Sequence, residues 1–205
     1  MLVYQVVQFG EVELHYVLYL NMKNNYQEID GWCGQEITYL YDKAIKEAND
    51  GSVFVELGCY KGKSTCYMID AIKNSGKKIN FFVVDNFSTL GDVKQEFEEN
   101  LGEERLKSIT FINEDSVEAS KHFSNSSVDF IFIDTDHYAN QLVKEISAWN
   151  EKLKKGCLVS GHDYHIGNMK DAFDILKIDL YNVIHSPINY LDIGIWRGTS
   201  WWYNK

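Results

Sequence analysis

A short apolar run that leads through two glycines into a helical segment most constrains the fold of this chain. Residues 53–55 predict a buried strand, Gly58 and Gly62 interrupt it, and residues 64–74 predict a helix. A helix that begins directly after such a turn offers free backbone N–H groups, and glycines let the backbone approach a ligand closely. The segment therefore predicts a cradle for a small ligand.

The loop departs from the two common nucleotide-binding motifs. A P-loop has four residues between its glycines, whereas three separate Gly58 from Gly62, although Lys63 and Ser64 follow as the motif requires. The dinucleotide fingerprint also fails, because Tyr60 stands where its second glycine would be. A P-loop-like nucleotide hydrolase remains an alternative function.

Further apolar runs alternate with helical patterns along the rest of the chain. They predict strands at 79–84, 109–113, 128–133, 157–160, 181–185 and 190–196, and helices at 37–48, 91–107, 140–154 and 169–178. This alternation predicts an α/β fold with a doubly wound, mainly parallel, seven-stranded sheet. Residues 2–9 and 11–20 predict a β-hairpin or an added edge element before it.

Length and composition indicate one domain. The chain has 205 residues, of which 45% are hydrophobic and 24% are charged, as in ordinary globular proteins. We expect a catalytic core over residues 31–205, preceded by an extension over residues 1–30. We interpret the extension as extra packing structure. A lid or a dimer contact is the alternative, so a homo-oligomer remains open.

The net charge of −10 argues against unassisted binding to nucleic acid or to an anionic membrane. No apolar run is long enough to span a bilayer. The four cysteines form no C-x-x-C pair, which fits a reducing compartment better than a disulfide scaffold. We therefore expect a cytoplasmic protein whose partner is a small molecule, with neither nucleic acid nor membrane as a partner.

Carboxylates recur where the predicted parallel strands end, which is the edge where ligands of wound sheets gather. Five acids fall at or just beyond such ends: Glu56, Asp85, Asp115, Asp134 and Asp163. Asp85 lies 23 residues after Gly62, near the spacing at which an acid binds ribose hydroxyls, with a turn cap as the alternative. Asp115 and Ser116 suit either an adenine amino group or the N-cap of a helix.

Six polar side chains follow the fourth and fifth predicted strands: Asp134, Asp136, His137, His162, Asp163 and His165. They converge if those strands are neighbours. Two carboxylates and a histidine can bind a divalent metal, which would lower the pKa of a substrate hydroxyl. A histidine that acts as a general base without a metal is one alternative. A structural role in capping helices is the other.

Three segments together resemble a known family. They are Glu56–Ser64 (ELGCYKGKS), Ile133–Tyr138 (IDTDHY) and Lys155–Tyr164 (KGCLVSGHDY). They are similar to class I S-adenosylmethionine-dependent methyltransferases, in particular to bacterial sugar and macrolide O-methyltransferases and to the catechol O-methyltransferase group. The likeness runs from about Gly31 to Trp196. It implies a Rossmann-like fold and methylation of a small-molecule hydroxyl, with a non-catalytic S-adenosylmethionine-binding protein as the alternative.

The resemblance also implies a role for individual residues. The residues implied to face S-adenosylmethionine are Glu56, Gly58, Tyr60, Gly62, Ser64, Asp85, Asp115, Ser116 and Asp134. Asp134 and Asp163 would be metal ligands together with His162, and the metal in this family is often magnesium. His137 is the candidate base, and Asp163 would act beside the transferred methyl group. Many magnesium-dependent relatives carry two adjacent acids or amides after the fifth strand, whereas this chain has His162 and Asp163.

Overall fold

A computed structural model describes residues 2–9, 12–19, 26–88, 93–180, 182–185 and 198–205. The strands within these ranges are β1 (Leu2–Phe9), β2 (Val12–Tyr19), β3 (Val53–Leu57), β4 (Asn80–Val84), β5 (Thr110–Ile112), β6 (Val128–Ile133), β7 (Leu153–Gly161), β8 (Asn182–His185) and β9 (Thr199–Asn204). The α-helices are α1 (Gln35–Glu47), α2 (Lys63–Ser75), α3 (Val93–Leu106), α4 (Ser116–Ala119), α5 (Ala139–Asn150) and α6 (Asp171–Leu176).

Strands β3 to β9 form one seven-stranded sheet in the order β5-β4-β3-β6-β7-β9-β8. The pairs from β5 to β7 are parallel, while β9 runs antiparallel to both β7 and β8. Along the chain, β4 and β5 therefore add to one side of β3, and β6 and β7 then add to its other side. The predicted doubly wound α/β fold is confirmed, and the switch point between β3 and β6 is where such sheets bind ligands.

Period-two alternation in the central strands supplies a core on each face of the sheet. Phe54 and Phe130 pack with α1, α2 and α3, whereas Val55 and Ile131 pack with α4, α5 and α6. Successive side chains of a strand point to opposite faces, so two apolar layers of helices need strands that are apolar throughout. Glu56 occupies a position on the α1 side of this pattern and is 1% exposed.

Strands β1 and β2 form a separate two-stranded antiparallel sheet, in which Leu2 pairs with Tyr19 and Phe9 pairs with Val12. The predicted hairpin is confirmed. None of the helices in the described part of the chain has the length and apolar character needed to cross a membrane.

Several predicted boundaries are wrong. The helix expected over 140–154 ends at Asn150, and the strand expected over 157–160 begins at Leu153, so β7 contains Gly156 with φ 79°. Strand β7 starts early because Leu153 pairs with Val128, and a register shift between Val128 and Phe130 absorbs the extra residues. The helix predicted at 169–178 is limited to α6. The strand predicted at 190–196 falls outside the described residues, and β9 was not predicted.

Candidate active site

A cavity of about 620 Å³ opens where β3, β4, β5, β6 and β7 end. Its wall combines the glycine loop after β3 with residues that follow the other four strands, and with residues 30–32 before α1. This volume lies within the range of small-molecule and cofactor pockets. All five strand ends contribute because parallel strands bring their carboxyl ends to the same edge.

Gly58 lets the loop pass directly over the end of β6. Its φ is 82°, and a Cβ at this position would lie 2.1 Å from the carbonyl oxygen of Asp134. Asp85 then fixes the curvature of the loop, since its Oδ2 accepts hydrogen bonds from the backbone N–H groups of Cys59 (2.9 Å) and Tyr60 (3.2 Å). Gly58, Tyr60 and Asp85 all line the cavity.

Gly62 serves the packing of the loop instead. It has φ 84° at the start of α2, and a Cβ there would lie 2.5 Å from Leu101 and 3.0 Å from Phe97. The space that glycine leaves open is therefore filled by α3. Gly62 is not among the residues that line the cavity.

Glu56 is also turned away from the cavity, into a hydrogen-bond network beneath the loop. Its carboxylate accepts hydrogen bonds from the hydroxyls of Tyr41 (2.9 Å), Ser64 (2.5 Å) and Thr65 (2.6 Å). Burial raises the pKa of Glu56 to about 7, although these three hydrogen bonds act to lower it. Glu56 thus connects β3 to α1 and to the first turn of α2.

The same network determines the direction in which the Ser64 hydroxyl donates its hydrogen bond. Ser64 borders the cavity, but its hydroxyl donates inward to Glu56. The Lys63 ammonium lies 3.5 Å from the carbonyl oxygen of Gln27. A P-loop needs this lysine and this hydroxyl directed at phosphate and magnesium, so the local geometry does not favour the hydrolase alternative.

Asp115 and Ser116 lie on the cavity wall beyond β5. Oδ1 of Asp115 accepts from the backbone N–H groups of Val117 (2.9 Å) and Glu118 (3.2 Å), so Asp115 is the N-cap of α4. Ser116 donates its hydroxyl proton to Glu145 at 2.5 Å. The capping alternative is therefore observed for Asp115, while both residues keep their place beside the cavity.

The acids and histidines after β6 and β7 do converge. Asp163 contacts both histidines, through Oδ2 to Nε2 of His137 (2.9 Å) and through Oδ1 to Nδ1 of His162 (3.2 Å). Nδ1 of His162 also lies 3.9 Å from Oδ1 of Asp134. Asp134, His162 and Asp163 each offer a ligand atom within 4.8 Å of the others. Asp136 lines the same cavity, whereas His165 does not.

These contacts shift the pKa values of the cluster in opposite directions. Burial raises the pKa of Asp134 to about 6, while the charge of His162 acts to lower it. Burial acts to raise the pKa of Asp163, but hydrogen bonds from His137 and His162 hold it below its usual value. Asp163 raises the pKa of His137. Asp163 can therefore remain a carboxylate, and it favours the protonated form of His137 and of His162.

His162 has a second carboxylate behind it. Its Nε2 lies 3.3 Å from Oε1 of Glu36, which is 2% exposed and belongs to the first turn of α1. Burial acts to lower the pKa of His162, but Asp163 and Glu36 together raise it. The contact between Glu36 and His162 was not predicted, since 126 residues separate the two and no local pattern connects them.

Strained backbone is concentrated at the same place. Tyr60, Phe87 and Asp163 adopt φ values of 47°, 51° and 58°, and all three line the cavity. Such conformations cost about 1–3 kcal/mol each in non-glycine residues and accumulate at functional sites. At Asp163 the strained backbone directs the carboxylate between His137 and His162.

Comparison with known proteins gives a family. A family model described as a methyltransferase domain matches residues 55–164, which include the glycine loop and every residue of the acid and histidine cluster after β6 and β7 except His165. No curated protein matches the sequence.

Solved structures share the fold at low identity. TrmN from Thermus thermophilus has a TM-score of 0.64 at 14% identity, over 100% of this chain and 60% of that one. A precorrin 8W decarboxylase from Methanobacterium thermoautotrophicum has a TM-score of 0.61 at 17% identity, over 87% and 94%. A SAM-dependent O-methyltransferase from Thermotoga maritima has a TM-score of 0.60 at 13% identity, over 98% and 78%. The matched segment covers more than half of the chain, and the chain therefore belongs to the methyltransferase-domain family.

Proposed function

We propose that this chain is an S-adenosylmethionine-dependent methyltransferase that methylates a hydroxyl oxygen of a small molecule, such as a sugar or a natural product. One observation carries the proposal. A single cavity joins the glycine loop and Asp85 at one end to Asp134, His137 and Asp163 at the other. A nucleoside held at the first end would present its sulfur substituent at the second, because β4, β3 and β6 are successive strands of the sheet.

The charge of the cavity favours a cationic donor. Among the described lining residues, the acids are Asp30, Asp85, Glu114, Asp115, Asp134, Asp136 and Asp163, and Lys63 is the only lysine or arginine. Such a surface attracts a sulfonium and repels a triphosphate. Oδ2 of Asp85 accepts from two backbone N–H groups of the glycine loop, whereas Oδ1 accepts from the backbone N–H of Phe87 and keeps a second lone pair, so Oδ1 can also accept from a ribose hydroxyl.

His137 is the proposed base. It is about half exposed at the cavity wall, and its Nε2 lies 2.9 Å from the Asp163 carboxylate. A hydroxyl held beside this pair transfers its proton to the neutral form of the His137 imidazole as its oxygen attacks the methyl carbon. The new O–CH₃ bond forms, the S–CH₃ bond breaks, and its electron pair returns to sulfur. Asp163 stabilises the resulting imidazolium.

The cluster also fits a divalent metal. Asp134, His162 and Asp163 offer one imidazole nitrogen and two carboxylate oxygens in close reach, and Glu36 holds the other nitrogen of His162, as a carboxylate commonly does for a metal-bound histidine. These three residues would hold the ion, which would lower the pKa of the acceptor hydroxyl. The imidazole donor favours zinc, iron, copper or nickel over magnesium.

Calorimetry with S-adenosylhomocysteine tests the cofactor assignment. We expect Asp85→Ala to weaken binding about 10- to 100-fold, as for the loss of hydrogen bonds to a charged group. Asp85→Asn is the matched variant, because its carbonyl oxygen still accepts from the loop, and it should weaken binding less. Unchanged affinity in the alanine variant would contradict the ribose assignment.

A labelled methyl donor tests the acceptor. The protein would be incubated with the small-molecule fraction and, separately, with the RNA fraction of a lysate. Label in small hydroxylated compounds supports the proposal, whereas label in RNA contradicts the acceptor class. Binding of S-adenosylhomocysteine with no labelled product in either fraction would favour a non-catalytic binding protein. ATP turnover that depends on Lys63 would favour the hydrolase.

A further inference from the structure

A buried carboxylate in α5 organises the wall of the cavity beyond β5. Glu145 is 0% exposed, and its Oε1 accepts hydrogen bonds from Ser116 (2.5 Å), Thr135 (2.7 Å) and the Nε2 amide of Gln141 (3.2 Å). The three donors come from α4, from the loop after β6 and from α5 itself. All three also line the cavity, so Glu145 draws their hydrogen-bond donors away from it.

This arrangement fixes which atom Gln141 presents. Nε2 of Gln141 lies 3.2 Å from Oε1 of Glu145 and 3.4 Å from Oγ of Ser116. The reversed amide would put two acceptor oxygens against each other. Oε1 of Glu145 accepts hydrogen bonds from two hydroxyls, so it acts as an acceptor whether or not the other carboxyl oxygen carries a proton. Because Glu145 and Ser116 hold the amide nitrogen of this cavity-lining residue, its carbonyl oxygen is the atom left to accept a hydrogen bond from a ligand.

Gln141 lies where the base of a bound nucleoside would be expected. Asp85 follows β4, and Ser116 lies after β5, which is the next strand outward and the edge of the sheet. A ribose at Asp85 whose sulfur end points toward β6 directs its base the opposite way, toward Ser116. Gln141 contacts Ser116, so it lies at the edge of that base.

We propose that Gln141 is a specificity-determining residue that accepts a hydrogen bond from the exocyclic amino group of adenine, and that Glu145 is the positioning residue that fixes the amide. The inference rests on the proposed function, because it takes the ligand to be an adenosyl sulfur nucleoside. A base that carries a carbonyl in place of the amino group would place its oxygen against the carbonyl oxygen of Gln141. The site rejects such a base because polar groups that lack a hydrogen-bond partner weaken binding.

Paired calorimetric titrations with S-adenosylhomocysteine and S-inosylhomocysteine test this inference. We expect the protein to bind the adenosyl compound at least about tenfold more tightly. Gln141→Leu should bring the two affinities within about threefold of each other, mainly by weakening the adenosyl compound. Glu145→Gln should also reduce the ratio, because the amide of Gln141 can then turn. A loss of stability alone would weaken both ligands equally and leave the ratio unchanged.

Gln95→Leu is the matched control. Gln95 makes the same kind of contact four residues along a helix, with Nε2 2.7 Å from Glu99, but it is exposed on α3 and outside the cavity wall. It should keep the full preference. Equal binding of the two ligands by the unmodified protein, or a full preference in Gln141→Leu, overturns the inference while leaving the methyltransferase proposal intact. Failure to bind either ligand overturns both.

Discussion

The two ends of the cavity use carboxylates in different ways. At the nucleoside end, Asp85 and Asp115 accept backbone N–H groups, which fixes the shape of the glycine loop and the start of α4. At the transfer end, Asp134 and Asp163 lie against the side chains of His137 and His162. A carboxylate bound to backbone shapes a surface, whereas one coupled to imidazoles can support proton transfer. Under the proposed function, the site would therefore separate recognition from chemistry along one sheet edge.

The largest effect is expected from Asp163→Asn. The variant loses the charge that stabilises both imidazolium groups, and we expect methyl transfer to slow about 100-fold or more. The affinity for S-adenosylhomocysteine should change by less than about threefold, because the contacts at Asp85 remain. Steady-state rates and calorimetry on one preparation check both values.

Asp171→Asn, at an exposed position of α6, is the control for that variant and should keep full activity. If Asp163→Asn weakened cofactor binding as much as it slowed turnover, the proposed division of roles between the two ends of the cavity would be contradicted.

The next largest effect concerns the backbone of the glycine loop, which lies between the two ends of the cavity. Gly58→Ala adds strain at φ 82° and a clash with the Asp134 carbonyl oxygen, so we expect a loss of about 3 kcal/mol in the free energy of unfolding. Gly51→Ala is matched, since Gly51 has φ 86° but nothing within 4 Å of the added Cβ, and it should cost only about 1 kcal/mol. Urea unfolding measures both losses, and equal losses would show that the close approach to β6 is unimportant.

The smallest effect is a pH dependence that arises from Glu56. Its pKa is about 7 in the folded protein against about 4.3 in an unfolded chain, so between these values the folded state binds more protons. Stability should therefore fall as the pH rises from about 4.5 to about 7, by about 2 kcal/mol. Urea unfolding at pH 5 and pH 8 measures the difference.

Glu56→Gln should remove the part of this pH dependence that comes from Glu56, since an amide does not titrate in that range. Glu28→Gln, at an exposed position, should leave it unchanged. A Glu56→Gln protein with the full pH dependence would mean that other carboxyls, such as Asp42 with a pKa raised by burial to about 6, are responsible.

Much of the fold follows from local sequence. Apolar runs of strand length, separated by helical patterns, are sufficient to predict a wound parallel sheet, and the acids after the runs then fall at one edge. Asp85, Asp134 and Asp163 reach the cavity for this reason. The return strand β9 escaped prediction because its pairing with β7 and β8 is antiparallel, whereas an alternation of apolar runs and helical patterns predicts parallel pairs.

The sequence by itself determined the strand, glycine turn and helix of the cradle and the placement of acids at strand ends, because both depend on short-range periodicity and on the direction of parallel strands. Only the tertiary structure decided that Glu56 bonds beneath the loop, that Gly62 makes room for α3, and that Glu36 stands behind His162. Hydrogen bonds and close contacts between distant segments depend on side-chain directions, which local patterns of apolar and polar residues do not encode.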